Sequence, residues 1–297
     1  MKRTVFICLA YSLLCPLMLY GQTDWDAIEI KTINITDNIS YLKGSGGNIG
    51  VLHGPDGVMI IDDQFAELSD KIKNALGALS ESDLKFIVNT HYHGDHIGGN
   101  ENLSADGASV IAHRNVRERL GNTFYSSMRE RDVEPKPETF WPVITFRDEI
   151  TFYLNKEEVQ IIHVPNAHTD GDALIYFKTS NVMHTGDGFV RYGYPFIDVS
   201  AGGSIDGMIA AHEKILEVTN ANTKIIPGHG EIASVEEVKE VLNMLRETRK
   251  IISDLMAAGK SLDECISSKP FEDYHERWSG SFIDSNVFVR LIFESIE

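Results

Sequence analysis

From residue 48 onward, short apolar runs alternate with helical stripes. Asn48–His53 and Val58–Ile61 are apolar clusters on either side of Gly54–Gly57, which predicts a hairpin. Phe65–Leu79 places Leu68, Ile72, Ala75, Leu76 and Leu79 on one helix face. Leu84–Asn89 is compact and apolar, as a strand covered on both faces would be. Ser109–Ala112 predicts another strand, followed by a short helix to Leu120. Four further strands are predicted at Ile150–Leu154, Val159–Val164, Ala173–Lys178 and Val182–Thr185. Ser204–Val218 reads as a helix and Lys224–Ile226 as a short strand. Val235–Met256 is a long amphipathic helix with Val238, Val241, Leu242, Leu245, Ile252 and Leu255 on one stripe. Asn286–Ser295 is the last helix. Gly121–Pro142, with Pro135, Pro137 and Pro142, predicts an irregular loop that covers the fold or overhangs a site. Strands and then helices, twice over, predict an α/β protein. The economical layout is two packed sheets with helices outside, a four-layer αβ/βα sandwich.

The first residues change the domain picture. Lys2 and Arg3 form a basic start, an apolar run follows to Tyr20, and Gly21 is small. That is the layout of a secretory signal peptide, here residues 1–21, with residues 22–297 as the mature domain. Pro16 and the short run count against a membrane anchor, so the expected destination is the periplasm or the exterior, with no membrane attachment after cleavage. Cys8 and Cys15 lie in that segment, leaving Cys265 as the single cysteine beyond it and no intramolecular disulfide. The net charge of −17 disfavours nucleic-acid phosphates and anionic lipid, so a small molecule is the expected partner. Nothing in the sequence sets the oligomeric state.

The chemistry concentrates in "IVNTHYHGDHIGGN", residues 87–100, which carries His91, His93, Asp95 and His96. A helix puts positions two apart on different sides, whereas an extended segment puts them on one face. His91 and His93 therefore belong where the strand Leu84–Asn89 ends, and Gly94 permits a turn before Asp95 and His96. Structural zinc sites most often include cysteine; a His/Asp set without cysteine points to an open, catalytic site. His168, Asp187 and His229 each follow another short apolar strand, among Gly, Pro, Asn or Asp. Seven ligand-type residues at strand exits are enough for two metals sharing one carboxylate.

"THYHGDH", followed at these intervals by His168, Asp187 and His229, resembles the metallo-β-lactamase fold superfamily over nearly all of the chain beyond the signal segment. The resemblance implies the αβ/βα sandwich. It implies one metal held by His91, His93 and His168, a second held by Asp95, His96 and His229, and Asp187 bridging both. The namesake β-lactamases place Cys or Ser at the Asp187 position. An aspartate there is similar to the thioesterases, lactonases and phosphodiesterases of the superfamily.

Two cations a few ångströms apart lower the pKa of a shared water. The expected reaction is therefore attack of a bridging hydroxide on a lactam, lactone, ester or thioester carbonyl, with β-lactamase activity included and Asp95 handling the proton. Zinc suits an imidazole-rich site, and iron or manganese also accept it. Asp62, Asp63 and His184 are candidates for orienting the ligands. His53, His113, His163, His212 and His275 match no ligand position. Arg191, Tyr194 and Asn166 are candidates for substrate contact, Arg191 as a carboxylate clamp. Gly44–Asn48 is either a flap beside the site or a plain glycine-rich turn. The competing functions are a phosphodiesterase, an iron-dependent redox enzyme on the same fold, and a non-catalytic metal-binding protein.

Overall fold

The computed structural model describes residues 23–127, 130–279 and 282–296. The segment read as a signal peptide lies outside these residues. Among the described residues no helix is long and apolar enough to cross a membrane.

The first sheet is built from β1 (Lys31–Asn34), β2 (Ile39–Lys43), β3 (Ile49–Leu52), β4 (Val58–Ile61), β5 (Leu84–Val88) and β6 (Ser109–His113). A small hairpin of β7 (Phe124–Ser126) and β8 (Arg131–Val133) interrupts the chain before β9 (Ile144–Phe146) closes the sheet. The order is β1-β2-β3-β4-β5-β6-β9, antiparallel as far as β4 and parallel from β4 to β9. The second sheet runs β10 (Glu149–Leu154), β11 (Glu157–His163), β12 (Ala173–Phe177), β13 (Val182–His184) and β14 (Lys224–Ile226) in spatial order. Only β13 and β14 pair in parallel there.

The helices are α1 (Ser69–Leu79), the short α2 (Gly94–Ile97), α3 (Asn100–Ser104) and α4 (Arg114–Leu120), then α5 (Ile205–Val218) and α6 (Val235–Ala257). The chain ends with α7 (Leu262–Ser267), α8 (His275–Trp278) and α9 (Ser285–Ser295).

Side-chain alternation explains the layers. In β4, Met59 and Ile61 point inward with Val88 and Ile111, and meet Val159, Ile161, Ile175 and Phe177 of the second sheet. Ile60 points the other way, onto Leu68 and onto Ile72 and Leu76 of α1. The far face of the second sheet is covered by α5, α6 and α9 through Met208, Ile215, Val238, Leu245, Phe288 and Ile292. The result is the four-layer sandwich expected from the sequence, with a core between each pair of layers. Ser204 caps α5 by accepting from Gly207 N. Ser234 and Glu237 form a capping box on α6, a device worth about 1 kcal/mol.

The predicted hairpin at residues 48–61 and the helices α1, α5, α6 and α9 lie where the periodicity puts them. The stretch Gly121–Pro142 is more ordered than a loop, because β7 and β8 pair over three residues. The pair β1–β2 and the edge strand β9 were not predicted.

Candidate metal centre

The seven ligand-type residues converge at one end of the two sheets. Since β11 and β13 are each antiparallel to β12, and β14 is parallel to β13, the strands β11, β13 and β14 all end at the same edge. His168, Asp187 and His229 follow those ends, and His91 follows the end of β5. Binding residues gather at the carboxyl ends of strands for this topological reason. His93 has extended backbone and precedes α2, which carries Asp95 and His96.

Three groups of ligand atoms form: His91, His93 and His168; His91, His96 and Asp187; and Asp95, His96 and His229. In the first, His93 Nδ1 lies 3.1 Å from His91 Nε2 and 2.8 Å from His168 Nε2. In the last, His96 Nε2 lies 3.2 Å from His229 Nε2, and Asp95 Oδ2 lies 3.3 Å from the same His229 nitrogen. Asp187 stands between them. Its Oδ1 is 3.4 Å from His96 Nε2 and 3.5 Å from His229 Nε2, while Oδ2 is 3.7 Å from His168 Nε2.

The outward nitrogens decide what the inward ones can do. His168 Nδ1 faces the Phe196 carbonyl at 2.8 Å, an acceptor only, so this nitrogen carries the proton. His93 Nε2 donates to Asp198 Oδ2 at 3.0 Å. His91 Nδ1 donates to Thr90 Oγ1 at 3.0 Å, since that hydroxyl gives its own proton to Asp62 Oδ2 at 2.8 Å. His96 Nδ1 donates to Asp62 Oδ2 at 2.7 Å. In neutral rings the inward nitrogens are then all lone pairs, and lone pairs this close need a shared proton or cation. Asp187 Oδ1 is buried and has no hydrogen-bond partner. A zinc ion holding ligands tetrahedrally at about 2.0–2.1 Å spaces them about 3.3 Å apart, and the separations here, from 2.8 to 3.7 Å, bracket that value. The donor set fits divalent metal.

The electrostatics agree. Burial, with the neighbouring imidazoles, pushes His91 well down and His168 down to about 4. Burial also opposes charge on His96 and His229, but the Asp187 and Asp95 carboxylates outweigh it and push them up to about 9 and about 11. In return these imidazoles hold Asp187 well below the carboxylate range and Asp95 down to about 2, against their burial. The site demands positive charge, which protons supply until a metal displaces them.

Packing sets the positions. A Cβ on Gly228 would lie 2.0 Å from Asp187 Oδ1, so only glycine lets the β14 exit approach the bridge. Gly47 does the same for His96, whose Cε1 would lie 2.3 Å from an added Cβ. The segment Gly44–Asn48 is not a free flap. Gly47 N donates to the Asp95 carbonyl at 3.1 Å, and Asn48 N to the Gly228 carbonyl at 2.7 Å.

Of the residues expected to orient ligands, Asp62 holds His96 directly and His91 through Thr90. Asp63 instead accepts from Gly99 N at 2.8 Å and touches no ligand side chain. His184 ties Gly186 N to the Asn48 carbonyl beneath the site. Asp198 is a new member. It is 1% exposed and accepts from His93, from Tyr92 Oη at 2.6 Å, from Ser200 Oγ at 2.6 Å and from Ala201 N at 3.2 Å.

The expected substrate contacts need correction. Tyr194 is fully buried and stacks on Phe288 at 4.5 Å, within the α5–α6–α9 layer. Arg191 pairs with Glu237 and donates to the carbonyls of Glu231 and Ile232, so its fork is already satisfied away from the cavity. Asn166 occupies a left-handed turn and donates to the Gly202 carbonyl at 2.8 Å. Tyr192, two residues before Tyr194, reaches the cavity instead and meets the His229 ring edge-on at 5.7 Å.

A family model of the metallo-beta-lactamase superfamily matches residues 42–229. The chain belongs to that superfamily. Among curated relatives, a hydroxyacylglutathione hydrolase of Pelagibacter ubique (strain HTCC1062) is 32% identical over 111 residues, 37% of this chain and 38% of that protein. A linear primary-alkylsulfatase of Pseudomonas sp. (strain ATCC 19151) is 23% identical over 258 residues, 73% of this chain and 48% of that protein. Each match thus spans less than half of the relative. Among solved structures, a metallo-beta-lactamase from Pontibacter korlensis aligns with a TM-score of 0.60 at 16% identity, over 73% of this chain and 99% of the other. The DIM-1 metallo-beta-lactamase aligns with a TM-score of 0.59 at 16% identity, over 74% and 99%. At that identity the structures establish the shared fold.

Proposed function

We propose that the chain is an exported hydrolase with two zinc ions, cleaving a carbonyl substrate. One ion would sit among His91, His93 and His168, the other among Asp95, His96 and His229, with Asp187 between them. The observation that carries this reading is the convergence of the ligand groups on an unpartnered Asp187 oxygen. When bound, the ions would supply Lewis acidity, lowering the proton affinity of a water and polarising the substrate oxygen.

The chain's own residues do the remaining work. Asp62, Asp198 and the Phe196 carbonyl fix the imidazole tautomers, so the inward nitrogens stay free to coordinate. Asp95, partly exposed to the cavity, stays ionised and accepts a hydrogen bond from an incoming water. Tyr192 and Phe196 wall the site and limit the water that reaches it.

Relatives named as hydroxyacylglutathione hydrolases support carbonyl over phosphorus chemistry. The basic and apolar start of the chain supports export. The test is hydrolysis by zinc-loaded protein of nitrocefin, a lactone, a thioester and bis-p-nitrophenyl phosphate. Turnover of any carbonyl substrate is expected; turnover of the phosphate alone refutes the carbonyl reading.

A further inference from the structure

The ligand cluster opens into a cavity of about 600 Å³, a size that holds a small organic molecule. The metal ligands His93, Asp95, His168, Asp187 and His229 form its floor. Its walls are largely apolar: Leu120, Phe124 and Val133 on one side, Phe196 and Phe282 on another, and Phe65 and Ile97 behind Asp95. Phe124 and Val133 pair across the β7–β8 hairpin, the element that sequence read as an irregular loop. The hairpin is fixed over the site. Ser127 bonds Ser200 through its amide at 3.1 Å and its hydroxyl at 3.2 Å, and Lys136 N donates to the Leu120 carbonyl at 2.8 Å. Phe282 is 61% exposed on the rim, a large apolar surface facing the cavity mouth.

Of the two Lys/Arg cations on the cavity wall, Arg119 is held by an ion pair and Lys136 by a ring contact. Arg119 pairs with Asp170 at 2.9 Å and lies between two rings, 4.9 Å over Tyr92 and 5.2 Å over Phe124. Lys136 lies 5.1 Å over the Phe140 ring, and Glu134 shares its stretch of wall. The ion pair takes up Arg119, which leaves Lys136 as the other Lys/Arg cation on the described lining.

From this lining we infer that the substrate is a carbonyl compound bearing an apolar acyl or aryl group, which packs between the β7–β8 hairpin and the Phe196–Phe282 wall. The inference rests on the hydrolase reading above for the reacting end and on the lining alone for the apolar end. Phe124 and Phe282 are then specificity-determining residues. They meet the part of the substrate that does not react, so they discriminate between chain lengths without taking part in the chemistry.

Two measurements on the full zinc-loaded protein separate this inference from the reading beneath it. The first is hydrolysis of p-nitrophenyl acetate, butyrate and octanoate. The second is equilibrium binding of acetohydroxamic, octanohydroxamic and succinic monohydroxamic acids, which requires no turnover. Each methylene that enters the cavity should tighten binding about threefold to fourfold. Octanohydroxamate should therefore bind at least about tenfold tighter than acetohydroxamate, and the carboxylated succinic probe no tighter than acetohydroxamate. Phe282→Ser, at an exposed position that should not disturb folding, should remove much of the octanoyl gain relative to acetohydroxamate, and Phe124→Ala should lower the ratio of the two affinities further. Chain-dependent binding without ester turnover sinks the hydrolase reading and leaves the inference standing. Turnover that ignores chain length, equal binding of all three probes, or no binding of any overturns the inference. So does preference for the succinic probe that Lys136→Ala abolishes.

Discussion

Replacing Asp198 by alanine should weaken metal binding without touching a metal ligand. The carboxylate is buried and carries four hydrogen bonds, from His93 Nε2, Tyr92 Oη, Ser200 Oγ and Ala201 N. The bond from His93 matters most, because it fixes the tautomer that turns Nδ1 toward His91 and His168. Without it His93 is free to rotate or to protonate the wrong nitrogen. Losing such an orienting group costs about 10- to 100-fold in metal affinity. That is about 1.4–2.8 kcal/mol. Asparagine should cost less. Its oxygen can keep accepting from His93 and Tyr92, although its amide then meets Ala201 N, which is also a donor. The assay is chelator competition for zinc at fixed pH. It should resolve two binding steps and assign the loss to the step involving His91, His93 and His168. A thermal melt checks that the variant is folded. If folded Asp198→Ala binds both ions with unchanged affinity, the tautomer argument is wrong.

Three further outcomes follow from the same geometry. Asp187→Ala should lower kcat/KM by about 100-fold or more and leave at most one tightly held zinc, read by metal analysis after dialysis. Gly228→Ala puts a Cβ 2.0 Å from Asp187 Oδ1 and 2.5 Å from the Gly186 carbonyl carbon, so it should destabilise the fold by about 1–3 kcal/mol in urea unfolding and also reduce metal content. His212 is buried against Phe189, and desolvation pushes it down to about 4. Its charged form is disfavoured in the fold, so its contribution is complete above the unfolded value near 6.5 and is lost as pH falls toward 4. Across that window the native protein should lose about 3 kcal/mol more stability than His212→Gln, and parallel pH profiles of the two would contradict this.

The convergence of these seven side chains was legible because several signals coincide on them. His91, His168, Asp187 and His229 each follow a short apolar run, and His91 and His93 have the spacing of extended chain. The layers were legible because β4 is apolar at every position, as a strand covered on both faces must be, and α6 is apolar along one helical stripe. Asp198 was invisible in sequence: a lone aspartate in "PFIDVSAG" has no spacing relation to His93, and the contact exists only once the β13–α5 connection folds over the site. Tyr192 and Tyr194 would share a face in extended chain; Gly193 between them has φ 122°, and sequence alone does not say that the backbone turns there and sends only Tyr192 to the cavity. Arg191 misled because an arginine near a ligand looks like a clamp, whereas Glu237, one turn into α6, already satisfies it. The β7–β8 hairpin escaped notice because its strands are three residues long and interrupted by polar positions.

The central claim is that two cations share this cluster. The direct measurement is anomalous diffraction from crystals of the zinc-loaded protein, scaled against the metal content of the same preparation. Two peaks per chain are predicted, one among His91, His93 and His168 and one among Asp95, His96 and His229, with Asp187 touching both. A single peak, or zinc bound away from these residues, would contradict it.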